Sequence, residues 1–410
     1  MNNNKVIRLV FSLTAASLFA LPLCAHKLTR QQKKDIDQAK TYIKSGKDYD
    51  KAEKLITPLF KDSANRSNLK LNALWFDAVR GQYDAANEKL YLKQKYDTAA
   101  FYQLTRHLQE VALTVDSLDA LPDQKGRVRL SYRKENAELL HALRINIYYG
   151  GTWHVRKANY QTAFSFFDDY INAARQPLFE AYKYHQTDSL LPKAAYWATF
   201  CAFKLQDAER TLKHAQLAMG DKERREFTLQ YMCEAYRQLH NDSAYIATLE
   251  EGFRLYPDYP YFFPRLADYR TAQKRYDEVL HLAEQGLMVN EENPIFHIAK
   301  SVSLLNLERY NECIASSQQL IALNDSLPEP YFNIATCYLN NALTIEQEHE
   351  PRKNRQALQK LYQLARPYME KYRKMVPSDQ KRWAPALYRI YFNLNMGKEF
   401  EEIDRTMRNN

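Results

Sequence analysis

The chain has 410 residues, 45% apolar and 13% aromatic, with 30 tyrosines but only 9 glycines and 15 prolines. It is too apolar for a disordered polymer, and the scarcity of glycine, with Lys, Glu, Leu, Ala, Gln and Arg filling long stretches, points to helix throughout. The formal net charge of +9 is spread along the chain, a weak attraction for polyanions that argues against nucleic acid as a partner.

Residues 1–25 read as a signal peptide. Lys5 and Arg8 precede an apolar run from Leu9 to Leu23, and Leu23-Cys24-Ala25 offers a small residue for cleavage before His26. The run falls short of the roughly 20 residues a spanning helix needs, and Leu23 ahead of Cys24 argues against lipidation there. No later stretch is apolar enough to span. The expectation is therefore an exported chain, periplasmic or outer-membrane-associated, with no transmembrane span once the leader is removed.

Helical spacing first appears at Ile36, Ala39 and Ile43, followed by Gly46 in a turn and a second run at Tyr49, Ala52, Ile56 and Leu59. Residues 69–93 and 97–119 read as two longer helices joined near Lys95, and residues 122–131 as a loop with Gly126 and the basic Lys125, Arg127 and Arg129. Residues 145–158 read as a first helix containing Gly150-Gly151, with Tyr160, Ala163, Phe167 and Tyr170 on its partner. Each glycine costs a helix up to about 1 kcal/mol against alanine. Either a neighbouring helix packs on bare backbone there, or a ligand does, with Trp153, His154 and Arg156 beside it as a polar-aromatic set. An abbreviated pair spans residues 195–203 and 208–215.

From residue 219 the spacing sharpens. Leu229, Met232, Cys233 and Tyr236 mark a first helix, Leu249 and Gly252 its partner, and Pro257 the end. After about 34 residues, a period typical of stacked helical pairs, the pattern returns with Phe263, Leu266 and Ala267, then Tyr276, Val279, Ala283 and Gly286. The next first helix fits as Ile295, Ile298, Ala299 and Val302 on the buried face after a slightly longer turn, and its partner carries Tyr310, Cys313 and Leu320. Tyr331, Ile334, Ala335 and Tyr338 lead to Tyr362, Ala365, Met369, Tyr372 and Pro377. Tyr276 and Tyr310 stand one period apart, but Tyr310 and Tyr362 stand a period plus roughly 18 residues apart, which is five helical turns. An insertion therefore lies near residues 341–358. Whole turns lengthen both helices without rotating their buried faces. Pro351 then stands at the tip, among Glu348, His349, Glu350, Arg352, Lys353 and Arg355, a solvated charged end. Residues 383–407, with Gly397 in the turn, cap the stack.

These paired helices, with a large, a Leu-like, a small and an aromatic slot on the first and Tyr, Ala and Phe slots before a proline on the second, resemble the tetratricopeptide repeat family. The likeness is good over residues 228–377 and looser over 31–218. It implies an all-α fold, a right-handed superhelix of roughly eight or nine hairpins, degenerate over residues 26–218 and regular over 219–410, whose first helices line a concave groove for a peptide or protein. The chain also resembles exported repeat proteins of Gram-negative bacteria to which no enzymatic activity is attached. Relatives that grip a C-terminal carboxylate use Lys or Arg with Asn on that groove. The matching positions are Gln230 and Glu234, then Pro264 and Asp268, so that clamp is absent.

No Gly-rich phosphate loop, nucleophile elbow, Cys-x-x-Cys or paired metal-binding histidines occur, so neither a catalytic residue nor a metal or cofactor is expected. Adjacent acids such as Asp168-Asp169 diverge on a helix and read as surface. Four cysteines beyond the leader, Cys201, Cys233, Cys313 and Cys337, form no close pair in sequence and read as small buried side chains. Binding is expected on Gln230, Glu234, Arg237, Tyr261, Asp268, Phe332 and Thr336, which project from first helices away from the small-residue seam. The leading expectation is a protein-interaction scaffold. The alternative is a glycan-binding module of the envelope, using exposed rings outside the repeat slots such as Tyr261, Tyr269 and Tyr388.

Overall fold

A computed structural model describes residues 28–123, 125–347 and 354–408. The expected signal peptide with Cys24, and the hairpin tip from Glu348 to Lys353, lie outside the described residues. The chain divides into two compact units, residues 1–191 and 192–410. Every regular element among the described residues is helical.

In the first unit α1 (Arg30–Ser45) pairs with α2 (Tyr49–Ile56), α3 (Ser63–Arg66) is a connecting turn, α4 (Leu69–Tyr91) pairs with α5 (Thr98–Asp119), α6 (Arg133–Arg156) pairs with α7 (Tyr160–Ala173), and α8 (Tyr184–Thr187) is a short turn. In the second, α9 (Leu191–Lys204) leads to the short α10 (Ala208–Lys213) and α11 (Ala215–Ala218). Five longer pairs follow: α12 (Arg225–Gln238) with α13 (Asp242–Leu255), α14 (Phe262–Ala272) with α15 (Tyr276–Val289), α16 (Pro294–Asn306) with α17 (Tyr310–Leu323), α18 (Glu329–Gln347) with α19 (Arg355–Met375), and α20 (Gln380–Asn393) with α21 (Gly397–Arg408). Each helix from α12 onward packs on the next in chain order, so the unit grows by neighbour contacts. The insertion lengthens α18 to 19 residues and α19 to 21, against 13 and 14 in the preceding pair.

Starts and stops are local. Thr29 and Gln32 form a capping box on α1, and Asn68, Asp97, Asn159, Asn241 and Asn293 each accept a first-turn amide with their side chains. The turn from first to second helix is closed by one residue in left-handed conformation: Gln206, His240, Lys274 and Glu308, each one period after the last, with φ of 57°, 52°, 58° and 59°. At each, the next amide reaches back across the turn to a carbonyl of the first helix, as Asn241 N–H does to Tyr236 and Arg309 N–H to Leu304. Glycine would take this conformation without cost, yet among the described turns of this kind only the α1–α2 turn uses one, Gly46 at φ 70°. The scarcity of glycine thus hides the turns from a sequence reading.

The seam between repeats keeps an unbroken register. Cys233, Ala267, Ser301 and Ala335 occupy the small slot at equal intervals, and Leu229, Phe263, His297 and Tyr331 the large one, all buried. This corrects the expectation for α16. Phe296 packs fully inward and Ile295 is 44% exposed; of the expected set Ala299 packs partly buried against the core, and Ile298 and Val302 are half-buried. Serine and histidine in the seam slots had disguised the register, because a polar residue there reads as surface. Phe262 and Phe296 press on the backbone of Gly252 and Gly286, where an added Cβ would lie 2.4 Å and 2.6 Å from the rings. One repeat later the same positions hold Leu320 and Pro330, both buried, so bulk has moved from one helix to the other.

Candidate functional site

With the register set, the off-seam positions of the first helices form matched rows, each spaced by one period. One row is Phe227, Tyr261, Ile295 and Glu329, the next Gln230, Pro264, Ile298 and Phe332, and the third Glu234, Asp268, Val302 and Thr336. Neighbouring first helices are tied across these rows. Tyr259 and Tyr261, at the start of α14, donate hydroxyl hydrogen bonds to Gln230 (2.5 Å) and Glu234 (2.7 Å) on α12. Phe263 of α14 meets Phe296 of α16 edge to face at 4.7 Å, and Asn333 of α18 donates to the Ser301 hydroxyl of α16 at 3.1 Å.

The α12–α14 end is polar and internally satisfied. The Glu234 carboxylate also accepts two guanidinium donors of Arg237, at 3.0 Å and 2.7 Å. Burial works to raise the acid, but the hydrogen bonds from Tyr261 and Arg237 outweigh it and hold Glu234 below the ordinary carboxylate range. The Tyr261 ring is 6% exposed and lies 3.7 Å beneath the Arg265 guanidinium, and burial pushes its hydroxyl strongly upward. Tyr261 is therefore not the exposed platform expected of it. Asp268 is exposed one turn along the same helix from Arg265. The α16 centre is apolar, with Ile295 exposed and Ile298 and Val302 half-buried. At the α18 end Phe332 lies under the Arg382 guanidinium at 3.8 Å and beside Tyr372 at 5.1 Å, Arg382 donates to Glu329 at 3.0 Å and 3.3 Å, and Thr336 is half-buried.

The structure thus brings Gln230, Glu234, Arg237 and Tyr261 together, sets Asp268 beside them, and places Phe332 and Thr336 two first helices away, with Ile295, Ile298 and Val302 between. Sequence reasoning missed those three because it had assigned them to the core. Strict counting by one period from Tyr261, Pro264 and Asp268 would have found them.

The second candidate patch is filled from inside. Cβ atoms added at Gly150 and Gly151 would lie 2.6 Å from the rings of Phe166 and Phe167, so a neighbouring helix occupies the bare backbone of an unbroken α6. His154 is buried against Phe166 and kept neutral by that burial, Trp153 is half-buried edge-on to His154, and Arg156 is exposed. Asp169 is not the surface acid expected: it is half-buried, and that burial raises its carboxyl against the lowering effect of its pairing with Arg106. Of the other rings offered for a glycan, Tyr388 packs on Phe400 at 4.6 Å and Tyr269 lies 5.7 Å from the Arg270 guanidinium. Among the described residues no three His, Cys, Asp or Glu side chains converge as metal ligands, and no helix is long and apolar enough to cross a membrane.

No protein-family model matches the chain, nor does any curated protein. Among solved structures, the C-terminal part of a TPR repeat-containing protein from Cytophaga hutchinsonii is similar at 12% identity over 62% of this chain and 92% of that one, with TM-score 0.41. The TPR domain of P58(IPK) aligns at 14% identity over 89% of this chain and 99% of that one, TM-score 0.26. The TPR2AB domain of yeast Sti1, in a pHSP90 complex, aligns at 14% identity over 72% and 98%, TM-score 0.26. Likeness this distant carries no argument of its own. What decides the architecture is the seam slot and the left-handed turn residue, each recurring with the same period on paired helices. The fold is an all-α solenoid of helical pairs on one fixed period. Six of the seven residues expected to bind lie in the first-helix rows, and Arg237, outside them, joins through its hydrogen bonds to Glu234.

Proposed function

We propose that the chain is a non-enzymatic protein-interaction scaffold that binds a peptide or protein along the first helices α12, α14, α16 and α18. The observation that carries this reading is the graded face itself: carboxylates at Glu234 and Asp268, an apolar centre at Ile295, Ile298 and Val302, and a ring at Phe332. Most of its polar groups are pre-ordered by one another, which lowers the entropy lost when a ligand is seated. The apolar centre supplies an anchor that is not committed to the core. A leader at residues 1–25 supports export as part of the proposal.

The test is capture of binding partners from envelope extract by the mature protein and by Ile298→Glu/Val302→Glu. The comparison variant is Gln285→Glu on α15, which lines a separate cavity of about 630 Å³ between α13, α14 and α15. Partners lost with the α16 variant and kept with Gln285→Glu support the face. Equal capture by all three, with helical content unchanged, removes it.

A further inference from the structure

Cys313 on α17 and Cys337 on α18 are buried in one apolar cluster with Leu304, Ile314 and Ile334, near enough for each thiol to bear on the other's ionisation. Hydrogen bonds around them bring the two residues to the same place. The Cys313 thiol donates to the Ser301 carbonyl at 3.2 Å. The Ser301 hydroxyl accepts from Asn333 at 3.1 Å, and Asn333 stands one turn before Cys337 on the same face of α18. Both thiols thus lie where α16, α17 and α18 meet. Their separation along the chain, across a whole inter-repeat turn, hid the pair.

We propose that Cys313 and Cys337 form a disulfide by exchange with a disulfide donor, stapling the second helix of one repeat to the first helix of the next. One cysteine, its proton lost to solvent, attacks a donor sulfur and expels one donor thiolate, leaving a mixed disulfide. The other cysteine thiolate attacks the protein sulfur of that mixed disulfide and expels the second donor thiolate. The two protein thiols lose two electrons and the donor disulfide becomes two thiols. Both side chains are fully buried, so exchange proceeds while the chain folds or through a local opening of α17 against α18. Burial pushes Cys201 and Cys233 up to about 12 and raises Cys337 as well, so what sets Cys313 and Cys337 apart is their shared cluster and not their acidity. The staple does not depend on the binding face proposed above.

The experiment refolds the full chain from denaturant with oxidised glutathione, alkylates remaining thiols under denaturing conditions, and maps peptides by mass. The expected result is one linked peptide pair containing Cys313 and Cys337, lighter by two hydrogen atoms than the reduced pair, with Cys201 and Cys233 fully alkylated. Cys201→Ser leaves the linkage in place and Cys337→Ser abolishes it. If refolded protein with native helical content carries alkyl groups on both Cys313 and Cys337, or links either of them to a different cysteine, the proposal is overturned. The wild-type map decides the matter even where a serine variant fails to fold.

Discussion

The second unit is held by a seam that recurs once per repeat, whereas the first is held by polar pins that each occur once. In the second unit Gly252 and Gly286, on second helices, receive Phe262 and Phe296 from the following first helices. In the first unit the direction differs: Gly150 and Gly151 of α6 receive Phe166 and Phe167 of its own partner α7. There too, Arg144, 5% exposed, lies between the rings of Tyr170 and Tyr184 at 3.6 Å and 4.2 Å and bridges to Asp188. Glu53 gathers hydrogen bonds from Trp75, Gln82 and His107 on two other helices. Periodic packing spreads stability over equivalent contacts, while single pins concentrate it in a few residues.

The largest expected effect therefore falls in the first unit. Arg144→Ala leaves the largely covered Asp188 without its cation and should cost about 4 kcal/mol, read as a lower denaturant midpoint; a loss under about 1 kcal/mol would show that the pin is ornamental. Glu53→Gln should cost about 2 kcal/mol, since three donors lose an ionic acceptor. Its pH profile is specific. Burial opposes ionisation of Glu53, but the bonds from His107, Trp75 and Gln82 hold it at about 2, below its ordinary 4.5, so its contribution is present above about 4.5 and is lost as pH falls toward 2. The hydrogen bond to Glu53 raises His107 above 6.5, so that contribution is complete below 6.5 and is lost as pH rises through the raised value. The wild-type advantage should therefore peak between 4.5 and 6.5, and a flat difference from pH 2 through the raised His107 value contradicts the pairing.

Smaller effects probe the seam. Gly286→Ala and Gly150→Ala should each cost about 1 kcal/mol net, because overpacking against Phe296 or Phe166 exceeds the gain in helix propensity. Gly397→Ala, with nothing within 4 Å of the added Cβ, should be neutral or better. The smallest effect is a gain. His240→Gly, Lys274→Gly and Glu308→Gly should each stabilise by about 0.5 kcal/mol, as relief of left-handed strain slightly exceeds the added freedom of the unfolded chain. A loss at all three would mean those side chains have a use beyond closing the turn.

Helix periodicity made the all-α pairing and the lengthened α18–α19 hairpin legible, because apolar spacing survives degeneration of the repeat. The α16 face was not legible. His297 and Ser301 fill core slots with polar groups, and Ile295 and Ile298 put apolar ones outside, so hydropathy alone inverts the helix. Nor could spacing reveal the Glu53 and Arg144 pins or the cluster that holds Cys313 and Cys337, which join residues distant in sequence through packing alone. The register explains why six of the seven expected binding residues share the first-helix rows; Arg237 is held there by Glu234. Burial of Tyr261 and coverage of Phe332 by Arg382 depended on neighbours no sequence pattern names.

The central claim is that the off-seam face of α16 is the contact surface. A photo-crosslinking amino acid placed at Ile298, and separately at Gln285, tests it most directly in the mature protein incubated with envelope extract. The account predicts a discrete protein or peptide adduct from position 298 and none from 285. An adduct from 285 with none from 298 would place binding on the second helices and contradict it.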